Sequence, residues 1–305
     1  MKIDKIVIKN LFSFFISFFI LFLLIKKINL VNLTEAFSKS NLILIFIAAV
    51  LSVGINIFFG AFKFKRILSD LGSFLSYKEA LFVRSGYLPF KVILPLKSFE
   101  ILKIIYLQKS GKISFNRGLS SIILERALNL FILGIVFLIG LLFFPVVIPK
   151  WLIFFIFIFI FGFLFSKKIS DIIINIAGKI NYKLKDLISS VLSGFREIDL
   201  KERTVLIFYS FIYQFSEFIN TYILFKAQGI SVPFSILLVF IPLVIVITNL
   251  PFTIMGLGTR EALLVFLFSS YGKTNSLLSA GLLISFIEHI LPVIVGLFFL
   301  RKVIK

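Results

Sequence analysis

Cysteine is absent from this chain, histidine and tryptophan occur once each, and acidic residues are scarce, with 14 Asp and Glu against 33 Lys and Arg in 305 residues. Without cysteine there is no disulfide and no thiolate metal site, and a lone histidine, His289, argues against a zinc or haem centre. No nucleophile and base of the Ser-His-Asp or Cys-His kind can be recognised, and nucleotide-binding glycine patterns are missing. No metal and no cofactor is therefore expected. Polar stretches long enough to bury a core of their own are missing too, so no soluble domain of any size is expected within these residues.

What is present is apolar. Hydrophobic residues make up 60% of the chain, mean hydropathy is +1.11, and apolar runs recur near the ~20 residues that cross a bilayer core. The expected fold is all-α: one polytopic helical membrane domain over 1–305. The 42 Phe residues say little about function, because an A+T-rich coding sequence and a lipid-facing helix surface both favour them.

Seven full spans are read near Asn10–Ile25, Asn41–Phe62, Gly118–Phe144, Trp151–Phe165, Thr204–Phe225, Phe234–Leu250 and Ser276–Leu300. The net charge of +19 is then informative through its distribution rather than as a nucleic-acid footprint. Residues 1–10, 63–117 and 166–203 hold 22 Lys and Arg, whereas the intervening loops at 26–40, 145–150 and 226–233 hold 5. The positive-inside rule puts the N-terminus and the basic loops in the cytoplasm, with the chain in the cell membrane. This count requires Leu81–Leu107 to enter without crossing, as a re-entrant hairpin or a pair of short half-helices. The side of Arg301, Lys302 and Lys305 stays open: it depends on whether Glu261–Tyr271 crosses. The first apolar run is followed by Lys26-Lys27 with no small-residue cleavage pattern, and reads as an uncleaved anchor. Residues 166–203 read as a cytoplasmic linker whose stretch Asn181–Leu200 places Leu184, Leu187, Val191, Phe195 and Ile198 on one helical face.

Two charged, helix-breaking segments interrupt this apolar background: LPLKSFEILKIIYLQKSGK from Leu94 and MGLGTREALLVFLFSSYGK from Met255. In each, a glutamate (Glu100, Glu261) stands eleven residues before a Gly-Lys pair. Each is followed by a second glutamate beside a basic or imidazole side chain, Glu125-Arg126 and Glu288-His289. The chain reads as internally duplicated, with repeats at approximately 81–144 and 251–300. Charge and broken helix are costly at membrane depth unless they line a protected polar cavity, so function is sought here.

In the second segment, Pro251 ends the preceding helix, Gly256 and Gly258 permit a sharp turn, and Thr259 reads as the N-cap of a new helix carrying Arg260 and Glu261 in its first turn. Backbone N–H groups at a helix start, with an adjacent guanidinium, suit a phosphate or carboxylate. The plainer reading is that Glu261 compensates the dipole and pairs with Arg260 or a neighbouring cation. The first segment is a weaker version, broken at Pro89 and Pro95, capped by Ser98, with Glu100 in the following turn. Lys91, Lys97 and Lys103 supply its charge, Lys97 being chosen to face a phosphate and Lys103 to snorkel to the interface.

Glu125, Arg126, Glu288 and His289 fall on spanning helices, where adjacent residues cannot face each other. Cross-pairing is expected, for instance of Glu125 or Glu288 with Arg260 or Arg126. The functional alternative has these residues line a headgroup path, with His289 or Glu288 titrating during transport. Glu217, with Gln214 and Asn220, is expected to face the same cavity.

These residues carry a resemblance. The string LPLKSFEILKIIYLQKSGK with SIILERALNL, and later GLGTREALLVFLFSSYGK with a terminal apolar span, resembles a flippase-like integral membrane family. That family includes the transmembrane region of bacterial lysylphosphatidylglycerol synthases and related archaeal proteins linked to dolichol-type glycosylation. GLGTREA matches its second motif. Its first motif survives as Pro95, Lys97 and Glu100, with Phe99 in the glycine position, and Asn129 stands where the family often has an acid. The resemblance implies lipid handling: translocation of a lipid with an anionic or glycosylated headgroup, of phospholipid or polyprenyl-phosphate type. The alternatives are a membrane-embedded transferase using Glu100, Glu261 or Glu288 as base, and a noncatalytic scaffold for one. A membrane lipid and a lipid-modifying or glycosylation enzyme are the expected partners, and nucleic acid is not. The aminoacyl-transfer module of full-length synthases does not occur in these residues, so lysyl transfer is not expected. The substrate-binding candidates are Lys97, Glu100, Glu125, Arg126, Arg260, Glu261, Glu288 and His289.

Overall fold

A computed structural model describes residues 38–93, 99–144, 198–250 and 253–300, together with isolated positions between 171 and 189. Every regular element among the described residues is helical. Helix α1 (Leu42–Asp70) starts at Asn41, whose side-chain oxygen accepts from the Ile43 and Leu44 N–H groups, and widens into a π-turn at Gly54–Phe59. Helix α2 (Tyr77–Gly86) opens with a capping box between Ser76 and Glu79, and a single turn, Phe90–Ile93, follows it. Helices α3 (Phe99–Lys109), α4 (Phe115–Phe143), α5 (Leu200–Ala227) and α6 (Phe234–Asn249) come next. A 3₁₀ turn, Ile254–Gly256, leads into α7 (Thr259–Leu267), and α8 (Thr274–Leu300) contains a second π-turn at Phe286–Ile290.

Helices α1, α4 and α8, at 29, 29 and 27 residues, are long and apolar enough to cross a membrane. Helix α6 is a shorter apolar helix, and α5 has the length, at 28 residues, but carries Gln214, Glu217 and Asn220 in its interior. The expected spans from Asn41 onward thus coincide with helices, whereas Asn10–Ile25 and Trp151–Phe165 lie outside the described residues. Helix α1 continues past its expected end at Phe62 and takes Lys63 and Arg66 with it.

Neither charged segment is one continuous helix. The 11 residues of α3 and the 9 of α7 reach about 16 and 13 Å at 1.5 Å per residue, well short of a bilayer core. Both show the same order, a short helix with its glutamate in the first turn, a glycine-bearing turn, then a membrane-length helix. The turns themselves differ. Gly111 adopts φ 70 after α3, while Gly272 has an ordinary φ and Lys273 is the N-cap of α8.

Buried apolar side chains of α4 to α8, among them Phe131, Phe218, Phe225, Leu237, Phe268 and Leu277, form the largest core cluster. A second cluster joins α1, α2 and α3 through Phe64, Leu68, Val83, Ile104 and Leu107. Ile198, at the end of the linker, is buried against Ile67, Leu71, Leu124 and Leu128. Helix α7 lies close on α8 because Gly281 presents no side chain: a Cβ there would stand 3.1 Å from Glu261 Cγ. Leu42, Phe46, Leu142, Phe143, Phe266 and Phe298 are exposed, as befits helices solvated by lipid.

Candidate functional site

The site is built where the chain turns into α7. Met255, Gly256 and Gly258 adopt φ 56, 77 and 83, positive values that break the helix ahead of α7. Gly256 is needed twice over, since a Cβ would also meet Thr248 Cβ at 2.8 Å and Arg260 Nη2 at 3.0 Å. Gly258, rather than the expected Thr259, is the N-cap. Thr259 already lies inside the helix, since the Gly258 carbonyl accepts the first intrahelical bond from the Ala262 N–H, and Glu261 at the third helical position reaches back with Oε2 to accept from the Gly258 N–H at 2.6 Å. Thr259 Oγ1 pairs instead with Thr253 Oγ1 at 3.1 Å. The helix start is therefore occupied by the protein's own carboxylate.

From Glu261 a polar chain runs through the interior. Ser285 Oγ donates to Glu261 Oε1 and accepts from Arg260 Nη1 at 2.7 Å. Arg260 Nη2 donates to the Met255 carbonyl at 3.2 Å and meets His289 Nε2. His289 Nδ1 then lies 3.2 Å from Lys91 Nζ. Glu261 has no exposed surface and Arg260 is 6% exposed. Arg260 can donate and not accept, and a neutral imidazole carries one N–H, so whichever ring nitrogen holds it faces a basic group. An ammonium there is also a donor. Basic groups from α7, from α8 and from the turn after α2 thus converge with an excess of N–H donors, which is what an anionic oxygen fits. Arg126, Glu100 and Glu217 also act electrostatically on Lys91, so these charges share one region.

On the adjoining face of α8, Glu288 accepts from Asn56 Nδ2 at 3.1 Å, from Ser52 Oγ at 3.2 Å and from Asn220 Nδ2. Tyr213 OH donates to Asn56 Oδ1 at 2.7 Å. Glu288 and Asn56 both lie in π-turns. In α8 the cause is local: Pro292 has no N–H to give the Glu288 carbonyl, and the Leu291 N–H bonds the Phe286 carbonyl, five residues back.

A further cluster lies between α1, α2, α3 and α4. Arg84 Nη1 donates to Glu125 Oε1 at 3.0 Å, and Arg126 pairs with Glu100. Lys63, fully buried, donates to Asn129 Oδ1 at 2.7 Å and sits 5.1 Å from the Tyr213 ring centre. Such buried charges are tolerated because each has a specific partner.

The sequence as a whole matches the lysylphosphatidylglycerol synthase TM region over residues 10–296. The chain belongs to that family. Among curated proteins no sequence matches it. Membership of the lysylphosphatidylglycerol synthase TM-region family makes this a membrane protein with a lipid-related function.

In this member of the family, Glu100, Glu125, Arg260, Glu261 and Glu288 are buried, and Arg126 is partly so. Arg260, Glu261 and His289 come together with Ser285 and Lys91, whereas Glu100, Glu125 and Arg126 belong to the α1–α4 cluster. Among the described residues the expected cross-pairing does not occur. Glu125 takes Arg84, which α2 carries against α1 and past Gly60, and Arg126 takes Glu100, because α3 packs on α4. Lys97 lies outside the described residues, and Lys91 is the lysine that reaches His289. Lys103 does not snorkel: it is 3% exposed with Nζ 4.5 Å from the Phe64 ring centre, since α3 turns that face inward. Sequence reasoning passed over Arg84, Lys63, Asn56 and Ser285. Ser285 had a signal, standing four residues before His289 on one helical face.

Proposed function

We propose that this protein translocates a membrane lipid whose headgroup is anionic or glycosylated, of the phospholipid or polyprenyl-phosphate type. The observation that carries this reading is the meeting of Arg260, His289 and Lys91 inside the bundle, three basic side chains from separate elements directed at one another. A phosphate oxygen entering there accepts from the guanidinium fork and the ammonium and relieves the crowding of donors around the His289 ring. Binding thus exchanges an internal mismatch for charge-assisted bonds. Short, broken helices beside membrane-length ones are the usual scaffold for such midplane sites, and the tails remain in lipid while the headgroup follows the polar path. With the N-terminus cytoplasmic in the cell membrane, the basic loops face the anionic leaflet from which a phospholipid would enter.

A membrane-embedded transferase is the second reading. It needs a free carboxylate base. Of the three candidates, Glu100 is paired with Arg126 and Glu261 with the Gly258 N–H and Ser285, which leaves Glu288, held by neutral side chains, as the carboxylate such a reaction would use. The purified chain in liposomes with headgroup-labelled phosphatidylglycerol or polyprenyl phosphate tests both. Movement of label between leaflets without chemical change, lost in Arg260→Ala, is the expected result. Unchanged movement in Arg260→Ala removes the anion site, and a modified lipid in place of movement establishes the transferase.

A further inference from the structure

The glutamates of the interior differ in their company. Glu125 is paired with Arg84, Glu100 with Arg126, and Glu261 with the Gly258 N–H and, through Ser285, with Arg260. Glu288 is 9% exposed and is held by Ser52, Asn56 and Asn220, all neutral, with no cation within salt-bridge distance among the described residues. A carboxylate fixed for structural reasons is expected to take a cation, because an uncompensated charge in this setting is costly.

Its three partners share a property. Hydroxyl and carboxamide groups both donate and accept, so they can solvate a carboxylate and, after rotation, a carboxylic acid. Asn220 shows the spare capacity directly. It has no exposed surface, its Nδ2 donates to Glu288, and its Oδ1 is buried without a hydrogen-bond partner. Turning that amide over exchanges the two atoms and offers a protonated Glu288 an acceptor in the same place. The pocket contains the groups needed for either protonation state.

The position of Glu288 gives a proton there a mechanical consequence. Asn56 and Glu288 tie the π-turn of α1 to that of α8, and the next residue, His289, carries the contacts to Arg260 and Lys91. The charged groups around the pocket are Arg260 from α7, which acts on Glu288 electrostatically, Glu217 from α5, His289 from α8 itself, Lys91 behind His289, and Arg84, Glu125 and Lys63 on the far side of Tyr213. Tyr213 from α5 reaches it through Asn56. Neutralising Glu288 removes charge assistance from the Asn56 bond and leaves the Arg260 cluster with one fewer compensating anion.

We infer that Glu288 is a reversible proton-binding site that couples proton movement to headgroup translocation, an inference resting on the transport reading above. In the step, the carboxylate takes a proton from water on one side of the membrane, is held as the acid by Asn220, and gives the proton up to water on the other side. No further reactant is required.

Infrared difference spectroscopy of the full chain in lipid, mildly acidic minus neutral, reads the site without reference to transport. A protonated-carboxyl carbonyl band is expected in the wild type, absent in Glu288→Gln and present in Glu125→Gln. Should Glu288→Gln fail to fold, Asn220→Ala keeps the carboxyl and is expected to move the midpoint of the band. No band, a band that persists in Glu288→Gln, or an unmoved midpoint overturns the proton site. In liposomes, an imposed proton gradient is expected to speed wild-type translocation several-fold and to leave Glu288→Gln unaffected. A gradient response retained in Glu288→Gln overturns the coupling. Failure of the wild type to move any lipid counts against the transport reading, and the infrared result then stands on its own.

Discussion

Asn56 Nδ2 donates to Glu288 Oε2 across 3.1 Å, and each residue sits in a π-turn of a different membrane-length helix. Widened turns place side chains where a regular α-helix would not, and here both widened turns turn inward to the same bond. Asn56 completes the arrangement by accepting from Tyr213 OH with its other amide atom.

Removing that amide is expected to be costly. Asn56→Ala leaves the Tyr213 hydroxyl and one Glu288 oxygen each short of a buried partner, for a loss of about 1–3 kcal/mol. Thermal unfolding in detergent measures it. Asn56→Asp is the sharper variant: it places a second carboxylate against Glu288 and is expected to be less stable than Asn56→Ala at neutral pH, with stability recovering on acidification. A pH-independent Asn56→Asp would mean that the two side chains do not meet.

The turn into α7 makes a graded prediction. Gly256→Ala combines a left-handed φ of 77 with a Cβ that would stand 2.8 Å from Thr248 Cβ, and a loss of about 2 kcal/mol or more is expected. Gly111→Ala has a similar φ of 70 but open space around it, so about 1 kcal/mol of backbone strain is expected alone. Unfolding midpoints of the two variants should fall in that order, and Gly256→Ala should also weaken retention of an anionic lipid by displacing Arg260.

Features of this chain differ in how plainly the sequence carries them. The apolar runs that became α1, α4, α5, α6 and α8 announce themselves by composition, and the breaks at Leu94–Lys112 and Met255–Lys273 by glycine, proline and charge. Burial of Glu100, Glu125, Arg260, Glu261 and Glu288 followed from the expense of exposing them to lipid. Partner choice did not. Arg84 with Glu125, Lys63 with Asn129 and Asn56 with Glu288 are set by which helices pack side by side, across separations of 41, 66 and 232 residues. The helix boundary was equally hidden: Thr259 has the right chemistry for an N-cap, yet Gly258, at φ 83, takes that position and the Thr259 hydroxyl turns to Thr253.

Outside the membrane-length helices, Glu79 at the start of α2 gives a pH prediction. The Lys112 ammonium, aided by the Ser76 N–H and hydroxyl, holds its carboxyl at about 2, below the ordinary 4.5. A depressed carboxyl contributes stability that is present above the unfolded value and is lost as pH falls through the folded one. Glu79→Gln is therefore expected to be less stable than wild type at neutral pH, and the gap to close between pH 4.5 and about 2. Both side chains are more than a third exposed, so screening keeps the difference under about 1 kcal/mol, smaller still in high salt. A gap unaffected by acid would mean that the charge on Glu79 contributes nothing to it.

The last prediction separates geometry from charge in the Arg260 cluster. Arg260 makes three contacts in different directions, to Ser285, the Met255 carbonyl and His289. Arg260→Lys keeps the charge but loses the planar fork, so it is expected to retain attraction for an anionic headgroup and to restore translocation only in part. Ser285→Ala probes the same cluster from the other side. It leaves the guanidinium intact but removes the hydroxyl through which Arg260 and Glu261 are joined. Two buried charged groups then each lack one partner, and a destabilisation of about 1–3 kcal/mol is expected. If the hydroxyl serves to aim Arg260, Ser285→Ala lowers translocation per folded molecule by more than its stability loss explains, and Ser285→Thr, which restores a hydroxyl at the same atom, recovers most of it. Equal loss in folding and in transport, with no recovery by threonine, would reduce Ser285 to a packing residue and leave Arg260 to be oriented by Met255 and His289.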